Sequence, residues 1–133
     1  MNMSSEITVL LLSTLLLVAH IMLAIRFKTR QYGTAWNMGA RDEDLAPLND
    51  IAGRLQRARD NFLETYPIAI VALLVGDLYG QNSSLIGIAA WVWLAARVIY
   101  LPLYWAGVPK VRTLVWAVAM LALLTTVVTL LLA

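Results

Sequence analysis

The chain has 133 residues, of which 61% are hydrophobic and only 14% charged, with a mean hydropathy of +0.75. A soluble domain of this size carries about half apolar and about a quarter charged residues, so the excess here points to lipid as the solvent. The net charge of +2 makes no case for nucleic acid. The absence of cysteine excludes disulfides and cysteine metal sites, and a single histidine excludes a His-rich metal centre.

The first apolar run, Ile7 to Ile25, has Ser13, Thr14 and His20 as its polar members. Its basic residues follow it instead of preceding it, so it reads as a retained spanning helix and not as a cleaved signal. His20 is expected to be a packed, hydrogen-bonded residue. Trp36 is expected near the membrane surface. Arg41-Asp42-Glu43-Asp44 reads as a solvated loop with local ion pairs.

A second helix is expected over about 50–78, with Asp50 as its N-cap. Its first half is charged, Arg54-Leu-Gln-Arg57-Ala-Arg59-Asp60-Asn61-Phe-Leu-Glu64, and its second half is apolar. Pro67 lies inside it and should remove one backbone hydrogen bond and kink it. Residues 80–84 are expected to form a short polar turn. A third span, about 85–105, carries Arg97; Pro102, Gly107 and Pro109 distort or end it. A fourth, about 114–132, has no charge. The fold class is therefore all-α: a single integral-membrane domain, 1–133, built as a four-helix bundle.

Seven of the ten Lys and Arg residues (Arg26, Lys28, Arg30, Arg41, Arg54, Arg57, Arg59) lie between the first two spans, and Lys110 and Arg112 lie between the last two. The positive-inside rule places loops 26–59 and 106–113 in the cytoplasm and both termini outside.

Arg57, Asn61 and Glu64 are spaced i, i+4, i+7 and share one helix face, with Arg54 one turn earlier. Arg97, Tyr100 and Tyr104, spaced i, i+3, i+7, share one face of the third span, and Arg112 stands at the entry of the fourth. Charges that enter a spanning helix are costly and mark a cavity or a partner. The guanidiniums outnumber Glu64 and its neighbour Asp60, so an anionic ligand is expected, for which arginine forks are suited.

Arg57-Ala58-x-x-Asn61-x-x-Glu64 with Pro67, Arg97-Val98-x-Tyr100-x-x-x-Tyr104 and Arg112 resemble the motifs of the membrane-associated proteins in eicosanoid and glutathione metabolism, as in a bacterial-type member. The resemblance covers essentially the whole chain. It implies a homotrimer in the membrane, a bacterial inner membrane in this case, with glutathione as co-substrate held between neighbouring subunits. It implies that Arg54, Arg57, Asn61, Glu64, Arg97, Tyr100 and Tyr104 bind the tripeptide, with Arg26 or Lys28 supplied by a neighbour. Arg112 would stabilise the thiolate, which would attack a lipophilic electrophile from the bilayer. Arg59 and Asp60 stand where many members of that family carry other residues.

Two further readings remain open at this point. One is a non-catalytic protein of the same fold that binds a phospholipid or another anion. The other is a small four-helix transporter, which the lack of an acid in the middle of the first span disfavours.

Overall fold

The computed structural model describes residues 2–80 and 83–133. Helices α1 (Ser5–Tyr32), α2 (Thr34–Met38), α3 (Asp50–Tyr79), α4 (Ser84–Ala106) and α5 (Pro109–Leu132) follow in order, and no strand occurs among the described residues. All but α2 are long and apolar enough to cross a membrane. Gln81 and Asn82, at the centre of the expected polar turn, lie outside the described residues.

Capping and propensity set the helix limits. The Ser4 hydroxyl accepts the Ile7 N–H at 3.1 Å and starts α1. The helix then runs past its apolar stretch through Arg26, Lys28 and Arg30, because arginine and lysine are good helix formers. Gly33 stops it at φ +97, a value that favours glycine. The N-cap of α3 is Asn49, one residue before the expected Asp50: the Asn49 side chain accepts the Ala52 N–H at 2.9 Å. Helix α3 continues through Pro67, where the missing N–H removes the bond to the Leu63 carbonyl.

The segment between α1 and α3 is tied down by side chains. Asn37 Nδ2 donates to Thr29 Oγ1 at 2.6 Å, Gln31 Nε2 donates to the Pro47 carbonyl at 2.9 Å, and the Asn49 N–H reaches Gln31 Oε1 at 2.8 Å. Trp36 packs edge-on against Tyr32 and lies under the Arg41 guanidinium, 4.7 Å from its ring centroid. The ion pairs expected within Arg41–Asp44 do not form. Arg41 donates to the Asn37 carbonyl instead, and the one salt bridge among the described residues joins Arg59 to Asp60 at 2.9 Å.

Helix α1 packs on α3, and α4 packs on α5, with Phe62, Tyr66, Leu73, Trp93 and Leu123 in the core between them. Alanines at 69, 72, 89, 90, 96, 119 and 122 line the helix contacts and let the backbones approach closely, as in membrane bundles. The large side chains of Leu15, Val18, Val71, Ile88, Leu114 and Leu121 point outward. That distribution suits a lipid solvent, where outward apolar surface costs nothing.

Polar groups also enter the core. The Ser13 and Tyr66 hydroxyls hydrogen-bond at 2.7 Å across α1 and α3. His20 is buried as expected and stacks on Phe62 at 4.9 Å, but neither ring nitrogen has a hydrogen-bond partner among the described residues. It is therefore held by ring packing and not by the hydrogen bond its chemistry predicts.

Candidate functional site

The α4–α5 turn builds the site. Gly107 adopts φ +74 and donates its N–H to the Leu103 and Tyr104 carbonyls, closing α4. Pro109 opens α5 in the first helical turn, where its missing N–H is no loss. The tight reversal brings Arg112 back beside the last two turns of α4. There Arg112 Nη1 donates to the Tyr100 hydroxyl at 3.4 Å, and its guanidinium lies over the Tyr104 ring at 4.3 Å. The two tyrosine rings meet edge to face at 5.5 Å.

One turn deeper, Arg97 joins this group to α3. It is 1% exposed, and its Nη1 donates to Asn61 Oδ1 at 3.0 Å. Its guanidinium packs over Tyr100 at 4.3 Å and Phe62 at 5.2 Å. Such cation–π contacts contribute about 0.5–2 kcal/mol each. Arg97 Nε and Nη2 are buried without hydrogen-bond partners, and no carboxylate pairs with Arg97 among the described residues. Asn61, Arg97, Tyr100, Arg112 and Tyr104 thus form one continuous cluster across α3, α4 and α5.

The remaining residues singled out by sequence stand differently. Arg57 and Glu64 are exposed on α3, on either side of Asn61, and neither makes a salt bridge among the described residues. At 1.5 Å per residue, Glu64 lies about 22 Å from the end of α3 at Tyr79, well within an apolar layer of about 30 Å. Arg26 is exposed on α1 in a separate hollow with Met22, Thr29 and Asn37. Arg54 reaches the end of α4: its Nε donates to the Asp50 carbonyl at 3.2 Å and its Nη1 to the Trp105 carbonyl at 3.4 Å. The chain therefore joins five of these residues directly and leaves Arg26, Arg54, Arg57 and Glu64 outside that cluster.

Phe62, which the charged motif alone does not single out, separates His20 from Arg97 and touches both. The signal for it lies in the pattern Phe62, Tyr66 on α3 facing Trp93, Arg97, Tyr100 on α4, two aromatic rows at helical spacing.

Chemically, the cluster can hold and polarise an anion. Arg112 donates to the Tyr100 oxygen and so leaves the phenolic hydrogen for another acceptor, within a side chain that is itself only 1% exposed. A guanidinium and a phenol side by side at the edge of an apolar bundle favour thiolate over thiol.

No curated relative and no solved structure matches the chain. A family model described as MAPEG family matches residues 7–132, nearly its whole length. With four span-length helices and the arginine–tyrosine cluster at one end of the bundle, the chain belongs to the MAPEG family, as an integral membrane protein.

Proposed function

We propose that this protein is a glutathione-dependent membrane enzyme, transferase- or peroxidase-like, that activates the glutathione thiolate for attack on lipophilic electrophiles. The observation that carries the reading is the Arg112–Tyr100 contact, 3.4 Å long, beside a second guanidinium, Arg97, that no carboxylate pairs with among the described residues. Surplus positive charge in an apolar bundle calls for an anion, and the family includes proteins that use glutathione for this purpose.

In this reading Arg112 is the catalytic residue. It stabilises the glutathione sulfur as thiolate, the thiol proton passing to water. The sulfur then forms a bond to the electrophilic carbon as the leaving group departs with its electron pair. Asn61, Tyr100 and Tyr104 bind the peptide, while Arg97, as deeply buried as Tyr100, orients Asn61 and Tyr100. Arg57 and Glu64 meet a glutathione carboxylate and its ammonium. Arg26 comes from a neighbouring copy in a homotrimer, which also covers the exposed Glu64. Arg54 stands at the margin of this set. The basic end faces the cytoplasm, where glutathione is dissolved, and the electrophile arrives through the bilayer.

A second reading keeps the pocket and drops the chemistry: a non-catalytic member holding a phospholipid or another anion. The unpaired guanidiniums suit it equally well. Glutathione titration of the purified protein, followed by conjugation of an aryl halide, separates the two. Saturating glutathione should raise the thermal midpoint, and Arg57→Ala should abolish the rise. An unchanged midpoint in the parent protein would sink the enzymatic reading.

A further inference from the structure

A second basic hollow lies between α1 and α3, apart from the Asn61–Arg97–Tyr100–Arg112 cluster. Its volume is about 580 Å³, and Phe27, Arg30, Asn49, Asp50, Ile51 and Arg54 line it. This size falls within the range of about 300–1,000 Å³ typical of ligand pockets.

Its charges are unmatched. Arg30, Arg54 and Asp50 make no salt bridge among the described residues, although all line the same hollow. Arg54 is fixed in place by its bonds to the Asp50 and Trp105 carbonyls. Asn49 is occupied in capping α3. On the apolar side, Phe27 meets Trp105 edge-on at 5.5 Å, and Ile51 is 40% exposed. Two cations, one carboxylate and an apolar wall therefore share one open site.

The depth is informative. Arg30 stands five residues beyond Ile25, the last residue of the apolar run, or about 7.5 Å along the helix. The polar layer on each side of a bilayer is about 5–8 Å thick. The hollow thus begins at the level of lipid headgroups at Arg30 and extends to Asp50 on its aqueous side, in a chain with four span-length helices.

We propose that this hollow binds the headgroup of a phospholipid bearing a primary ammonium, of the phosphatidylethanolamine kind. The Arg30 and Arg54 guanidiniums meet the phosphodiester, Asp50 accepts from the ammonium, and Phe27 and Ile51 contact the glycerol and upper acyl chains. Phosphatidylglycerol offers Asp50 hydroxyl donors but no cation, so the carboxylate charge stays uncompensated. A choline headgroup has no N–H to donate to it. The site therefore selects by headgroup and not by charge alone. Arg54, at the margin of the proposed glutathione set, is the one residue it shares with that set; Phe27, Arg30, Asn49, Asp50 and Ile51 belong to this hollow alone.

The test uses the full chain in detergent, stripped of lipid. Short-chain phospholipids with ethanolamine, choline or glycerol headgroups are titrated separately, and binding is read by native mass spectrometry and by thermal midpoint. The ethanolamine lipid should bind about tenfold tighter than the other two, the equivalent of one well-made charge-assisted hydrogen bond. The Arg30→Gln/Arg54→Gln double variant should weaken its binding by about tenfold or more. Asp50→Asn should remove the preference for ethanolamine over choline while phosphate-driven binding persists. Equal binding of all three lipids to the parent protein overturns the proposal, as does a preference that survives Asp50→Asn. Soluble phosphoethanolamine binding as tightly as the lipid would reassign the site to a free metabolite. Displacement of the lipid by glutathione would return it to the first cluster. Should the double variant fail to fold, the headgroup comparison on the parent protein and on Asp50→Asn decides.

Discussion

Arg112 meets two aromatic partners at once, the Tyr100 hydroxyl and the Tyr104 ring. In the proposed reading this fixed positive charge stands beside the glutathione sulfur. Arg112→Ala is expected to slow conjugation by about 10²-fold or more, the usual loss on removing a group that stabilises developing charge. Glutathione affinity should fall much less, so initial rates and binding measured side by side check the assignment. Equal losses in both would make Arg112 a binding residue only. Tyr66 offers a structural contrast. Its hydroxyl bonds Ser13 at 2.7 Å in the core, and Ser13 also donates to the Leu10 carbonyl. Tyr66→Phe should cost about 1 kcal/mol, seen as a lower thermal midpoint with catalytic rates unchanged.

At the scale of elements, helix ends position the site. Asn49→Ala removes the α3 cap and should cost about 1 kcal/mol, loosening the first turn, which also lines the basic hollow. Gly107 is less tolerant. At φ +74, a Cβ there would collide with Arg54 Nη1. Gly107→Ala therefore costs about 1–2 kcal/mol, almost all of it left-handed strain, since the tip of the Arg54 side chain can shift, and a thermal midpoint at or below that of Asn49→Ala is expected.

The four long helices could be read from apolar runs, because a span needs length and little else. The shared face of Arg57, Asn61 and Glu64 could be read from helical period. Three things could not. Helix α2 is a single short turn of helix held by Trp36, Asn37 and Tyr32 contacts rather than by a periodic pattern. The Asn61–Arg97 bond depends on the rotation of α3 against α4, which periodicity within one helix does not specify. The divergence of Arg54 from its neighbour Arg57 follows from the α4 carbonyl it finds, 51 residues away.

Across the whole molecule, outward apolar side chains agree with a lipid surround, but Glu64 and Arg57 do not. A carboxylate facing lipid at that depth costs several kcal/mol unless it finds a partner. The homotrimer proposed above supplies one, and cross-linking in the membrane should yield trimers. Glu64→Gln should keep the trimer, since it removes the charge and leaves the shape, while weakening the hold on glutathione. The central claim is that the arginine–tyrosine cluster binds glutathione as its thiolate. The most direct test is the ultraviolet thiolate absorbance of glutathione added to the purified protein at neutral pH, with Arg112→Ala as the comparison. A thiolate band that saturates with glutathione, accompanied by proton release, is expected, and it should be lost in Arg112→Ala. Glutathione that binds without a thiolate band, or a band undiminished in Arg112→Ala, would contradict it.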